Sequence, residues 1–187
     1  MIKKLSPLFL TAMFSMVGAQ EKAPEKAPVN RYITVSAEAG SILGSDKDKS
    51  FGVGGTLGYM AADQIFGQSK NMVTLSLKAF HNPYEDGKFV SSVFNNKNDG
   101  MNYIALLGGY RFIMQSVENG WYIEPRMGVT AAASYFGFIA SPKGGYTYKQ
   151  WDFSAFADAS FGSPENNLGK KSITAAGVGI GYNFKFH

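Results

Sequence analysis

Cysteine is absent from the 187-residue chain. That excludes a disulfide framework, a zinc ribbon, a CxxC redox site and a lipid-anchored cysteine. Charge is scarce as well: Asp, Glu, Lys and Arg make up 17% of the residues, against about 25% in an average soluble domain. The net charge of +4 is small and dispersed along the chain, so it leaves no basic footprint for nucleic acid. No apolar run of about 18 residues occurs beyond the extreme N-terminus, so the body contains no transmembrane helix. Aromatics, at 14%, and glycine, at 22 residues, are abundant. A chain this rich in Phe, Tyr, Ile, Leu and Val is not disordered, and its length suits one domain.

The first 19 residues have the layout of a secretory signal peptide. Met1-Ile2-Lys3-Lys4 is a basic start and Leu5 to Val17 an apolar stretch of 13 residues. Val17-Gly18-Ala19 then offers small residues for cleavage before Gln20. An apolar stretch this short, with Pro7 and Ser15 inside it, is not a membrane anchor. Residues 20–30 repeat Glu-Lys-Ala-Pro twice, which favours an extended, solvated linker. Residues 31–187 form the one folded domain.

Within that domain the pattern has period two almost everywhere. Ala176, Val178, Ile180, Tyr182, Phe184 and Phe186 alternate with Ala175, Gly177, Gly179, Gly181, Asn183 and Lys185. Side chains two apart share one face of a strand, so each such segment has an apolar face and a small or polar face. The same split occurs around Ile33–Gly40, Phe51–Tyr59, Val73–Phe80, Tyr103–Phe112, Trp121–Ala131 and Trp151–Phe161. The turn-rich stretches 44–50, 82–99, 115–120 and 162–171 lie in four of the six gaps between these seven segments. The pattern predicts an all-β, antiparallel up-and-down barrel. A soluble secreted barrel would turn the apolar faces inward, whereas a transmembrane barrel turns them outward to lipid.

Three features select the transmembrane form. The polar faces carry many glycines, which suit a narrow lumen and give a solvent face nothing. Aromatic residues gather at strand ends, as an interfacial girdle requires. The polar-face charges also balance: Lys78, Arg111, Arg126 and Lys185 against Glu38, Glu124, Asp152 and Asp158. An unpaired charge in a filled lumen is costly, so these eight are expected to form a structural network. Within it Arg111, Glu124 and Arg126 are expected to meet, with Glu38 or Asp158 completing the set.

Gly58-Tyr59, Gly109-Tyr110-Arg111-Phe112 and Gly181-Tyr182-Asn183-Phe184 repeat a Gly-Tyr(-x-Phe) strand ending, and Tyr122-Ile123-Glu124-Pro125 opens the strand after the second. With the signal peptide and the aromatic last strand, the chain resembles the small outer-membrane β-barrel domain family, of OmpA/OmpX-like architecture. The resemblance covers 31–187. It implies eight strands, both termini in the periplasm, surrounding outer-membrane lipid, and insertion by the barrel-assembly machinery through Tyr182, Phe184 and Phe186. Single-chain bacterial barrels have even strand numbers, so one strand is hidden. Residues 132–147, where the alternation blurs, are the expected place, with Phe89–Phe94 as the alternative.

Barrels of this kind include lipid A-modifying enzymes, but the residues for catalysis are not assembled in the sequence. His81 lies near Ser91, Ser92 and Glu85 only in a polar loop, and His187 is the last residue. No spacing suits a metal, and Asp46-Lys47-Asp48 lacks the glycine and distal Glu of a calcium loop. No catalytic, cofactor or metal site is therefore expected. A non-enzymatic barrel with a filled lumen, acting structurally or through loops 44–50 and 82–99 toward an extracellular ligand, is the function expected. A narrow pore for ions or small solutes is the alternative, because eight strands leave an interior just wide enough for side chains to fill.

Overall fold

A computed structural model describes residues 31–43, 51–63, 70–81, 84–85, 88–89, 102–132, 135–162 and 172–186. The leader and linker expected at 1–30, and loop 44–50, lie outside the described residues, as does most of loop 82–99. Eight long strands form a closed antiparallel barrel. They are β1 (Arg31–Leu43), β2 (Phe51–Ala62), β3 (Met72–His81) and β4 (Tyr103–Ile113). β5 comprises Asn119–Glu124 and Arg126–Ala132, and β6 comprises Tyr135–Ala140 and Lys143–Tyr148. β7 (Trp151–Gly162) and β8 (Ser172–Phe186) complete the wall, and β8 pairs with β1. Two short segments, Tyr84–Glu85 and Lys88–Phe89, pair with each other outside it.

β5 and β6 are each one strand interrupted by a proline. The pairing Lys143 with Glu124 on one side of the break continues in register as Met127 with Ala140 on the other. Pro125 and Pro142 therefore face each other across the β5–β6 ladder. Neither has a backbone N–H to give, but both carbonyls are used: Tyr110 N–H donates to Pro125 O and Ala157 N–H to Pro142 O. The hidden strand is thus 135–148, in the region 132–147 expected for it; of the alternative, Phe89–Phe94, only Phe89 is among the described residues, and it pairs with Tyr84.

The registers also fix the stagger. A path across the ladders from Ile33 runs through Tyr59, Leu75, Gly108, Met127, Ala140, Ala159 and Thr174. It returns to β1 at Leu43, ten residues further along. In barrels such a stagger goes with strands leaning roughly 35–45° from the axis. Closure requires close backbone approach at particular glycines. Gly40 faces Gly177 across the β1–β8 seam, where a Cβ on Gly177 would lie 2.2 Å from Ala39 O and 2.7 Å from Gly40 Cα.

The two faces separate as the period-two pattern requires. Val35, Leu57, Leu75, Leu106, Ile123, Met127, Phe138 and Val178 point outward and are exposed, Phe138 by 73%. Thr34, Ser36, Glu38, Lys78, Arg111, Glu124, Asp152 and Asp158 point inward and are buried. The protein is a barrel turned inside out relative to a soluble one: its exterior is greasy and its interior ionic. Aromatic rings collar the end at which β1 begins and β8 finishes, including Tyr182–Phe184 at 4.8 Å, Trp151–Tyr182 at 5.3 Å and Trp121–Tyr146 at 5.1 Å. Phe51, Phe136 and Phe161 stand exposed toward the opposite, loop end. About ten residues of tilted strand separate the two levels, which is roughly the 25 Å of an apolar membrane band.

Candidate functional site: the layered lumen

The inward residues sort into four layers because each strand contributes one side chain every second residue. At the terminal end Tyr32, Met60, Met72, Ile113 and Tyr122 pack into an apolar floor. At the loop end Phe80, Tyr103, Ala105, Leu107, Ile139, Phe156 and Ala175 form an apolar roof. Phe80 stacks on Tyr103 at 5.6 Å and meets Phe156 edge-on at 6.2 Å. Two ionic layers lie between floor and roof.

The upper ionic layer is centred on Lys78. Its Nζ lies 2.8 Å from Glu38 Oε2 and 2.6 Å from Asp158 Oδ2, with all three side chains shut off from solvent. Thr56 Oγ1 donates to Glu38 Oε1 at 2.8 Å, and the Tyr103 hydroxyl donates to Asp158 Oδ2. The Lys78 ammonium also sits 3.5 Å from the Phe156 ring centroid, so the roof's aromatic face contributes to holding the cation. One cation serves two carboxylates.

The lower layer is a chain of four charges. Arg111 Nε donates to Glu124 Oε2 at 2.7 Å and Arg111 Nη1 to Asp152 Oδ2 at 2.9 Å. Lys143 Nζ reaches Asp152 Oδ1 at 3.0 Å. The Tyr122 hydroxyl donates to Asp152 Oδ1 at 2.8 Å, and Thr74 Oγ1 donates to Glu124 Oε1 at 2.9 Å. The Arg111 guanidinium also lies 3.9 Å from the Tyr122 ring centroid. These contacts use both oxygens of each lower carboxylate.

Seven of the eight charges singled out in the sequence are buried inside the barrel: Glu38, Lys78, Arg111, Glu124, Arg126, Asp152 and Asp158. They do not form the expected single set. Arg111 and Glu124 meet, but Arg126 makes no ion pair with Glu124. Instead, Arg126 Nε donates to Ser141 O at 2.9 Å and Nη2 to Ser141 Oγ at 2.8 Å. It braces the strand pair at the point where Pro125 and Pro142 interrupt the ladder. Glu38 and Asp158 join Lys78 rather than the arginines, because both lie nearer the loop end of their strands. Lys185 is not in the lumen network. It lies beyond the floor at the end of β8, 35% exposed, 3.5 Å from Glu118. Lys143 takes its place in the charge balance and was missed because it sits on the hidden strand, directly after Pro142.

At the loop-end rim, His81 Nδ1 lies 2.7 Å from Asn102 Oδ1. Among the described residues no group of His, Asp and Glu could hold a metal ion. Of the proposed assembly residues, Tyr182 and Phe184 belong to the outer aromatic collar, and Phe186 stands 6.1 Å from Tyr59.

No family model and no curated protein matches the chain. Solved structures do. The structure of Neisserial surface protein A (NspA) aligns with a TM-score of 0.51 at 13% identity, covering 84% of this chain and 100% of that one. The chain has the fold of NspA. The N-terminal β-barrel domain of Pseudomonas aeruginosa OprF also aligns, with a TM-score of 0.47 at 17% identity, over 82% of this chain and 97% of that domain. At these identities the likeness to NspA is one of fold, and it agrees with the closed eight-stranded barrel traced by the ladders.

Proposed function

We propose that the protein is an integral outer-membrane β-barrel with a plugged lumen, acting structurally or through its loops rather than as an enzyme. The observation that carries this is the layering: an apolar floor and an apolar roof enclose paired charges, inside a wall whose outer face is apolar. A water-filled channel needs a continuous polar path, and both ends of this lumen are filled by buried Tyr, Phe, Met, Ile and Leu side chains. The outer face suits hydrocarbon, where closed barrels satisfy every backbone group without an edge. The leader at 1–19 supplies export, and the aromatic end of β8, with Tyr182, Phe184 and Phe186, supplies the signal for the assembly machinery. Loops 44–50 and 82–99 are then the surface offered to an extracellular ligand.

The test is fractionation followed by electrophoresis with and without heating, and by planar-bilayer recording. We expect recovery in the outer-membrane fraction, a heat-dependent shift in mobility, and no ion conductance. Recovery as a soluble periplasmic protein defeats the membrane assignment. Steady conductance in a folded barrel replaces the plug with a pore.

A further inference from the structure

We propose that the upper ionic layer matures into a covalent strut, an amide bond between Lys78 Nζ and Asp158 Cγ, with Glu38 as proton carrier. The bond rests on the plugged lumen proposed above, because a lumen closed to bulk water protects it from hydrolysis. Lys78 Nζ lies 2.6 Å from Asp158 Oδ2, so the nucleophile already touches the carboxyl group. Glu38 Oε2 stands 2.8 Å from the same nitrogen, and all three side chains are at most 1% exposed. The Tyr103 hydroxyl donates to Asp158 Oδ2. The Phe156 and Phe80 ring centroids lie 3.5 and 5.6 Å from the nitrogen. A glycine leaves room for the nearer ring: a Cβ on Gly177 would stand 2.8 Å from Phe156 Cζ. β3 and β7 are four strands apart in either direction around the wall, so the bond ties opposite sides of the barrel together.

Each group has a part in the condensation. Glu38 takes one proton from the Lys78 ammonium and passes it to Asp158 Oδ1. The freed amine attacks Cγ, and the Nζ–Cγ bond forms as an electron pair moves to Oδ2, where the Tyr103 hydroxyl stabilises the developing charge. A second Nζ proton follows the same route through Glu38. The Cγ–Oδ1 bond then breaks with its electron pair going to Oδ1, which leaves as water. Glu38 ends as the carboxylate it was at the start, and nothing is oxidised or reduced. Reactants held in such contact reach effective concentrations of about 10⁵–10⁸ M. The product also relieves the layer, because the amide removes two of its three buried charges. The lower layer lacks these conditions. Lys143 Nζ is 3.0 Å from Asp152 Oδ1, but Tyr122 donates to that oxygen and Arg111 holds the other. Among the described residues, no second carboxylate pairs with Lys143 to carry its proton.

The experiment expresses the full chain, purifies the heat-shifting barrel in detergent, and reads its intact mass and its peptide map after digestion. Wild type is expected to weigh one water less than its sequence from the measured N-terminus, and to yield a branched peptide joining Lys78 to Asp158. The bond closes residues 78–158 into a ring, so heated wild type should run ahead of heated Lys78→Arg, which keeps its full mass. Folded Glu38→Gln should keep its full mass as well. Asp158→Asn should form the same amide by losing ammonia instead of water, and so reach the mass of bonded wild type. A wild-type barrel that shifts on heating but keeps its full sequence mass overturns the bond alone. A chain that never shifts overturns the barrel reading and the bond with it. Loss of water that maps to Lys143 and Asp152, or that persists in Lys78→Arg, overturns the assignment to Lys78. Bond formation in Glu38→Gln to the wild-type extent overturns the role of Glu38.

Discussion

Glu124 holds Arg111 through one oxygen and accepts from Thr74 through the other. Removing its carboxylate leaves Arg111 dependent on Asp152, which already serves Lys143 and Tyr122. Breaking one partner of a buried pair costs about 3–5 kcal/mol, because the remaining charge stays buried without compensation. Glu124→Ala is therefore expected to lower the free energy of unfolding, read from urea titration in micelles, by an amount of that order. Glu118→Ala, which removes only the exposed partner of Lys185, should change stability by less than about 1 kcal/mol. The charge-balanced double variant Arg111→Leu/Glu124→Leu should recover much of the loss, since replacing a whole buried pair by apolar groups is often neutral. If the double variant is as unstable as the sum of its singles, packing rather than charge balance governs this layer. The sequence pattern placed these side chains on the inward face, because period two is a local property. It could not say which charges meet. Arg111, Glu124 and Asp152 come together across four strands, while Arg126, on the same face as Glu124, turns to Ser141 on a strand the pattern obscured.

That obscured strand shows what limits such reading at the level of the element. β6 carries inward Ile139 and outward Gly144, against the rule its neighbours follow, and Pro142 interrupts it where a ladder N–H is expected. Only the long-range register, continuous from Lys143–Glu124 to Met127–Ala140, shows one strand rather than two fragments. The other seven strands were legible because their outward residues are mostly apolar and the stretches between them rich in Gly, Asn, Asp and Ser. Close approach between β4 and β5 provides a test at this scale. A Cβ at Gly128 would lie 1.8 Å from Leu106 O, whereas one at Gly108 would meet nothing within 4 Å. Gly128→Ala is expected to abolish or sharply reduce the heat-shifted folded band, and Gly108→Ala to leave it intact. A folded yield of Gly128→Ala equal to wild type would mean that the β4–β5 ladder tolerates separation there. β8 supplies a second element-level test. Replacing Phe184 and Phe186 by Ser removes the end of its outer aromatic collar and should lower the fraction assembled in the outer membrane, with the remainder degraded. Unchanged assembly would show that the last strand is recognised by something other than these rings.

For the whole molecule, floor and roof act as two seals in series. A pathway opened at one level still ends at the other, so conductance depends on both. The roof is held by Phe80, which packs on both Tyr103 and Phe156, and Lys78 fixes Phe156 through its cation–ring contact. The floor is held by Tyr122 and Met60, with Tyr122 anchored to Asp152. Truncating Phe80 and Phe156 to Ala removes two of the rings that make up the roof but leaves the floor and both ionic layers. The expected result is a less stable barrel, because each large-to-small change costs about 3–5 kcal/mol in a well-packed site, and one that remains silent in planar bilayers. Adding Tyr122→Ala and Met60→Ala to the same chain opens the floor as well, so that neither apolar seal remains. Ion passage is then expected, with the fixed charges of Lys143, Arg111 and Glu124 lining the path. The measurement is single-channel recording on protein whose folding has first been verified by the heat-dependent shift. Conductance from the roof variant alone would show that the floor leaks, and a silent four-residue variant that still folds would place the barrier in the ionic layers themselves.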